Sequence, residues 1–325
     1  MNSIKSGARM NAYLKVVAGL LVLAGSMRVA LAADGEPGQQ SPTGITHSFL
    51  ATGGETYIMS GEGKITWRFA GGSRDGWVLP SGDVMLAVSK SKDYPSGAIV
   101  VIDKDGKALF EFKGTQSEVD TVQPLDGGHV LLTESGPKPR LLEIDHQGKV
   151  IVEFPLQCQT QNFHMQTRMA RKLPNGNYLV PHLLDKVVRE YTPEGKVVWE
   201  AATPKEPKEA WPFTAIRLDN GNTLIDCTHG DMVIEVDKDG KIVWQLTNAD
   251  LPTPLLHDPC GAQRLPNGNT VIASYGAAGE NDVKLLEVTP KKEVVWTYRS
   301  GHKGGVHEVQ ILDTNGKPLD GPHLR

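Results

Sequence analysis

The side chains in this chain that could do chemistry are imidazoles and guanidiniums in a few irregular segments. His164 is followed by Arg168 and Arg171, and His182 lies 18 residues after it. An imidazole can act as a nucleophile or general base near neutral pH, and guanidinium groups neutralise phosphate or sulfate esters. His164 and His182 are therefore the candidate catalytic residues, and Arg168 and Arg171 are candidate anion-binding residues.

Other candidate ligand-binding residues are polar or aromatic side chains in similar segments. They are His229, His257, His307, Trp211, Glu118 and Asp120. Zinc or copper binding is an alternative chemistry, since both metals bind imidazole and thiolate. Its ligands would be His229, His257, Cys227 and Cys260. No closely spaced ligand motif accompanies them, so we predict no metal site, and the sequence indicates no particular cofactor.

A repeat along the chain indicates how these segments are held. A polar turn containing glycine returns six times, with the glycines 45 to 48 residues apart. They are Gly82, Gly128, Gly176, Gly221, Gly268 and Gly316. A second repeat keeps the same phase and carries Trp67, Trp199, Trp244 and Trp296. A period in the forties, made of short strands and Gly turns, is typical of a β-propeller.

The predicted fold is all-β: a six-bladed β-propeller of four-stranded antiparallel blades. Residues 45–69 supply the later strands of a blade without its first strand, and residues 308–312 supply a first strand without the rest. We therefore expect the N- and C-terminal strands to pair in one shared blade and close the ring, which removes exposed sheet edges. Seven blades is the alternative if residues 248–261 contain further strands.

Strand direction sorts the connections onto two faces of the propeller. The short Gly turns all lie on one face, called here the tight-turn face. The longer connections, from the fourth strand to the next first strand and from the second to the third, lie on the other, called the funnel face. Loops held by a rigid scaffold often carry sites. The candidate residues are therefore predicted to surround the channel mouth on the funnel face.

The N-terminal part has a different character. Residues 1–32 have a basic start, a short apolar run at 16–24 and the ending Ala30-Leu31-Ala32, which together predict a secretory signal peptide. Residues 33–44 are polar and rich in Gly and Pro, and predict a disordered lead-in. Residues 45–325 form the propeller domain. The expected location is periplasmic or secreted.

The net charge expected after removal of the predicted leader limits which partners the chain can have. The leader holds four of the 34 basic residues and none of the 38 acidic ones, so 30 basic residues remain against 38 acidic. This excess of acid disfavours nucleic-acid binding, which needs cations for the phosphates. The apolar run is too short to span a membrane. We expect a monomer with no nucleic-acid partner and no membrane span.

The three cysteines leave two interpretations open. Cys158, Cys227 and Cys260 could form one disulfide with one free thiol, in a pairing that sequence cannot choose. They could equally be three small buried residues.

Two stretches resemble known propeller families. Residues 236–244 (VDKDGKIVW) resemble the tryptophan-docking repeat of pyrroloquinoline-quinone-type propellers, and residues 264–271 (RLPNGNTV) resemble the blades of bacterial arylsulfotransferases. The likeness covers most of residues 55–316. In the sulfotransferases a channel histidine of a His-x-Asn motif takes the sulfuryl group. His164-Met165-Gln166 occupies the corresponding place here, so the resemblance implies that role for His164.

Two hypotheses for function follow. The first is an exported binding protein that presents a His- and Arg-rich funnel face to a small molecule, a glycan or a protein. The alternative is an arylsulfotransferase-like or other transfer or lyase enzyme, in which a channel histidine acts on a substrate whose negative charge is held by arginines.

Overall fold

The computed structural model describes residues 36–319 and 324–325, and this part of the chain is almost entirely β-structure. Its short 3-10 turns are Asp126–Gly128, Phe163–Met165 and Asn248–Asp250. No helix in the described residues is long and apolar enough to cross a membrane. The predicted signal peptide, 1–32, lies outside the described residues.

The strands form six antiparallel sheets, which are the blades of a six-bladed propeller. The N-terminal strands are β1 (Gly38–Gln40), β2 (His47–Gly53), β3 (Thr56–Met59) and β4 (Ile65–Phe69). The first complete blade is β5 (Ser73–Val78), β6 (Val84–Val88), β7 (Ala98–Ile102) and β8 (Ala108–Lys113). The second is β9 (Glu118–Pro124), β10 (Val130–Ser135), β11 (Arg140–Ile144) and β12 (Val150–Pro155).

The remaining blades repeat this order along the chain. The third is β13 (Arg171–Lys172), β14 (Tyr178–His182), β15 (Val187–Tyr191) and β16 (Val197–Ala202). The fourth is β17 (Trp211–Arg217), β18 (Thr223–Thr228), β19 (Met232–Val236) and β20 (Ile242–Thr247). The fifth is β21 (Pro259–Arg264), β22 (Thr270–Ser274), β23 (Leu285–Val288) and β24 (Val294–Arg299), and the chain ends with β25 (Val306–Thr314) and β26 (Lys317–Pro318).

The sixth blade is shared between the two ends of the chain, as predicted. β25 pairs antiparallel with β2, and the sheet runs in the order β26, β25, β2, β3, β4. Antiparallel pairing places Phe49 opposite Ile311 and Ala51 opposite Val309, which brings buried apolar side chains of both ends together. The six-bladed count and the ring closure are therefore confirmed.

The repeated tryptophans link neighbouring blades. Trp199, on the fourth strand of its blade, donates its indole N–H to the backbone oxygen of Lys238 in the next blade's turn, 2.7 Å away. Trp244 makes the same kind of bond with Pro290, at 3.0 Å. An indole buries a large apolar surface yet needs a hydrogen-bond acceptor. In the four blades that carry it, this Trp can therefore serve both packing and alignment, which accounts for the phase of the second repeat.

The prediction of a disordered lead-in over 33–44 does not hold for its central residues. Gly38–Gln40 form β1, which adds a fifth strand to the outer edge of β24. The Gln39 side chain accepts a hydrogen bond from the indole of Trp296 at 2.9 Å and from the backbone N–H of His47 at 2.7 Å. Polar composition hid this strand, because it is held by backbone pairing and amide hydrogen bonds rather than by apolar burial. Residues 33–35 lie outside the described part.

Candidate functional site

A cavity of about 440 Å³ opens on the funnel face. Its walls come from the starts of first strands and from the long connections. Five of the predicted site residues line it: His164, Arg168, Trp211, His229 and His307. A volume of this size lies in the range of small-molecule sites.

One side of the cavity carries stacked rings. Trp211 stacks on His229 with ring centroids 4.4 Å apart, and Tyr275 stacks on His307 at 4.0 Å. Phe213 also stacks on His307, with ring centroids 5.9 Å apart. Aromatic faces of this kind offer flat apolar surface to a planar ligand. These rings form an aromatic wall.

The side chain of His307 is held neutral within this wall. Burial, together with the charges of Arg74 and Arg168, lowers the pKa of His307 to about 3. Its Nδ1 is buried and has no hydrogen-bond partner among the described residues. A neutral imidazole with one unused nitrogen can donate or accept a hydrogen bond, depending on its tautomer.

A charged cluster forms another side of the cavity. Glu118 forms an ion pair with Arg74 and a second one with Lys90 at 3.1 Å, and its carboxylate lies 3.0 Å from Nδ1 of His164. Burial alone would raise the pKa of Glu118, but the hydrogen bond to His164 and the positive charge of Arg74 outweigh it and hold this pKa well below its ordinary value. Glu118 is therefore ionised and orients the imidazole, whose side chain is 58% exposed.

Arg168 supports this cluster from below. It forms an ion pair with Asp120 at 3.3 Å, and Asp120 also pairs with Arg74 at 3.1 Å. The Arg168 guanidinium donates to the backbone oxygen of His164 and lies 5.7 Å from the Phe213 ring centroid. Burial lowers the pKa of Arg168 to about 10, so it remains charged at neutral pH. Glu118 and Asp120 contact the site without lining the cavity.

Three predicted residues lie elsewhere. Arg171 is in the next layer of the channel, where its Nη1 is 2.8 Å from Asp75. His257 is outside the cavity lining, and its backbone oxygen accepts the N–H of Gly276 at 2.9 Å. His182, a predicted catalytic residue, is fully buried between strands and is also outside the lining.

The environment of His182 suggests a structural role. Its Nε2 is 2.9 Å from the hydroxyl of Tyr191, and its Nδ1 is 3.4 Å from the thiol of Cys158. Burial, with a smaller contribution from Arg189, lowers the pKa of His182 to about 3. Sequence spacing had placed it at the channel mouth, but its strand position turns it toward packed side chains.

We expect His182 to make folding sensitive to acid. Since its pKa falls from about 6.5 in the unfolded chain to about 3 in the fold, its contribution is complete above pH 6.5 and is lost as pH decreases toward 3. The loss at pH 5 is about 2 kcal/mol. Urea unfolding at pH 7.5 and 5 should therefore show a smaller pH effect for His182→Gln than for the natural chain. The exposed His302→Gln should keep the natural pH effect, and an unchanged effect in His182→Gln would contradict the assignment.

The cavity lining includes further residues that were not predicted to bind the ligand. They are Arg74, Lys90, Phe213, Tyr275 and Cys260, of which Cys260 was considered only as a metal ligand. A sequence signal existed for three of them, since Arg74, Phe213 and Cys260 each lie eight residues before a repeat glycine. Arg168 and Asp120 lie at the same offset, and His307 lies nine before Gly316, where the turn is one residue longer. One position per blade thus surrounds the base of the cavity.

The structure also bears on the state of the cysteines and on the alternative of a metal site. All three cysteines, which fall within residues 36–319, are free thiols, and Cys227 and Cys260 are buried. Burial raises the pKa of Cys158 to about 12, and it raises those of Cys227 and Cys260 as well. In the described part of the chain, no three His, Cys, Asp or Glu side chains are placed to share a metal ion.

Solved structures similar to this fold include a protein of unknown function and two lyases. A crystal structure of a protein of unknown function from Bacteroides caccae has a TM-score of 0.70 and 20% identity, covering 85% of this chain and 100% of that one. A streptogramin B lyase has a TM-score of 0.56 and 15% identity, with coverage of 82% and 84%. A catalytically inactive histidine-to-alanine variant of virginiamycin B lyase from Staphylococcus aureus, with quinupristin, has a TM-score of 0.51, 17% identity and 69% coverage of both chains.

Sequence identities this low show a shared fold and nothing more. They support the resemblance to known propeller families only as far as the β-propeller fold. No curated protein sequence matches this chain at a significant level. The family model for Mal s 1 allergenic protein-like proteins matches residues 87–251, which is 165 of the 325 residues and spans parts of four blades. The chain therefore belongs to the Mal s 1 allergenic protein-like family.

Proposed function

We propose that this protein binds a small planar ligand that carries both an aromatic ring and an anionic group. The observation that carries the proposal is that stacked rings and an excess of positive charge share one cavity. Arg74, Lys90 and Arg168 supply three cations, against the two carboxylates Glu118 and Asp120. A ring can stack on the aromatic wall while its anionic group meets this cluster.

Cavity size favours a small molecule over the other partners considered from sequence. A space of about 440 Å³ takes one or two fused rings with substituents, whereas a protein would need a broad surface. The predicted leader at 1–32 supports action after export, in the periplasm or outside the cell. We propose that the protein acts as a monomer in which one chain supplies the rings and the cations of the site.

Three related probes test this function by isothermal titration calorimetry. They are 2-naphthalenesulfonate, neutral 2-naphthalenemethanol and the aliphatic anion hexanesulfonate. We expect the first to bind more tightly than either of the others, because it alone meets both the rings and the cations. Trp211→Leu should weaken naphthalenesulfonate about tenfold through lost stacking. Lys90→Gln should weaken the sulfonates and leave naphthalenemethanol unchanged.

Lys64→Gln is the matched control, because it removes one exposed cation that pairs with Glu62, away from the cavity. It should bind all three probes as the natural chain does. Equal affinities for the three probes, or equal loss in Lys64→Gln and Lys90→Gln, would refute the proposed ligand class.

A transfer or lyase enzyme is the second candidate, and the contact between His164 and Glu118 favours it. A carboxylate on Nδ1 fixes the imidazole and leaves Nε2 available to act as base or nucleophile. Two similar structures are lyases, and one of them was solved with quinupristin. Quinupristin is accordingly a reasonable probe beside p-nitrophenyl sulfate. Conversion of either by the natural chain would favour this candidate over simple binding.

A further inference from the structure

The side chain of Arg325 lies in the central channel, one layer below the funnel cavity. It is fully buried. The preceding residue, Leu324, forms an antiparallel bridge with Arg264, whose N–H donates to the Leu324 oxygen at 2.9 Å. Arg264 is the last residue of β21, at the tight-turn face. The residues at 324–325 therefore reach the channel from that face.

The groups around Arg325 suit a guanidinium. Its central carbon lies 4.2 Å from the Trp77 ring centroid, which is a cation–π contact. One terminal nitrogen is 3.3 Å from Asp75 and 3.7 Å from Glu308, and the other donates to the backbone oxygen of Gly76 at 2.5 Å. A planar fork of donors over a ring meets all four groups, whereas a compact ammonium cannot.

The charges around this position balance only when a second cation is present. Asp75 and Glu308 are completely buried, and Arg171 pairs with both, at 2.8 Å and 3.6 Å. Burial raises the pKa of Glu308, while the charges of Arg325 and Arg171 oppose that rise. Without Arg325, two buried carboxylates would share one guanidinium. An unpaired charge in such a place is costly, so the arrangement favours uptake of another cation of the same shape.

We propose that the tight-turn end of the channel is a guanidinium-binding site, which Arg325 fills in cis and which takes a free guanidinium compound when that side chain is removed. Asp75 and Glu308 directly follow the cavity residues Arg74 and His307 in sequence. The site therefore lies next to the base of the funnel cavity without lining it. The proposal is independent of the ligand proposed for the cavity.

Chemical rescue tests this site in the full chain. Arg325→Ala should melt at a lower temperature than the natural chain. Ethylguanidinium, at tenfold its Kd, should raise the melting temperature of this variant by roughly 3 °C. Ethylammonium at the same concentration should not, because it lacks the planar fork. The natural chain should gain nothing from either compound, since its site is filled.

A second variant separates binding from a general salt effect. In Arg325→Ala with Glu308→Gln, the remaining Arg171 and Asp75 balance, so ethylguanidinium should give no rise. A rise of equal size in this double variant, in the natural chain, or with ethylammonium would overturn the proposal. If Arg325→Ala does not fold alone, its refolding yield from urea is compared with each compound present. Recovery with ethylguanidinium only would support the site, and equal yields would refute it.

Discussion

Replacing Asp75 by asparagine should reduce the free energy of unfolding by about 3–5 kcal/mol. Asp75 is fully buried, and its carboxylate accepts hydrogen bonds from Thr121 at 2.9 Å and from the backbone N–H of Val122 at 3.1 Å. It also pairs with Arg171 and Arg325. Asparagine has nearly the same shape but no charge. It therefore leaves the two guanidiniums to a single buried carboxylate, Glu308, and turns an amide donor toward other donors.

Urea unfolding at pH 7.5 measures this loss, with Glu62→Gln as the matched control. Glu62 undergoes the same chemical change, but its side chain is 78% exposed and its pair with Lys64 is solvated. The control should lie within about 0.5 kcal/mol of the natural chain. If Asp75→Asn were to lose no more than the control, the four charges of this layer would not be a coupled unit. The layer would then hold together through packing alone.

The blades could be predicted from sequence because one local rule repeats in every blade. Each glycine of the turn repeat takes a positive φ, as Gly176 (88°) and Gly221 (84°) do. Residues with a Cβ rarely adopt that conformation, so the turn chemistry is visible in the sequence. The glycine-turn repeat and the tryptophan repeat keep the same phase, and few folds other than a β-propeller are compatible with both. β1 was missed because its stabilising groups are backbone edges and amides, which give no periodic apolar pattern.

The candidate site could be predicted in part for a related reason. The first strands of all blades run side by side around the channel axis. Residues that lie the same number of positions before the turn glycine therefore reach the same depth in the channel. Counting back from the glycines would have given Arg74 and Phe213 as well as Arg168. His182 was misplaced because its orientation depends on how β14 packs against Tyr191, which no spacing reveals. The position of Arg325 was equally inaccessible, because a single pairing over a long sequence separation brings it to the channel.

Replacing His164 by glutamine should lower turnover 10²- to 10⁴-fold if the cavity is catalytic, as expected for loss of a general base or nucleophile. In the transfer version, Nε2 of His164 attacks the sulfur of p-nitrophenyl sulfate and p-nitrophenolate leaves. A phenol then takes the sulfuryl group from the imidazole and loses its proton. Release of p-nitrophenolate with a phenol acceptor measures the reaction. His302→Gln, an exposed histidine outside the cavity lining, is the control and should keep the natural rate.

Glu118→Gln distinguishes chemistry at His164 from simple loss of structure. Glu118 holds Nδ1 of the imidazole at 3.0 Å as an ionised carboxylate. Its amide would keep the shape of the site but remove the carboxylate that fixes the imidazole, so kcat should fall while KM for p-nitrophenyl sulfate does not rise. A structural defect would weaken substrate binding as well as turnover and would raise KM. No release by the natural chain, or full activity in His164→Gln, would eliminate the transfer mechanism and leave ligand binding as the function of the cavity.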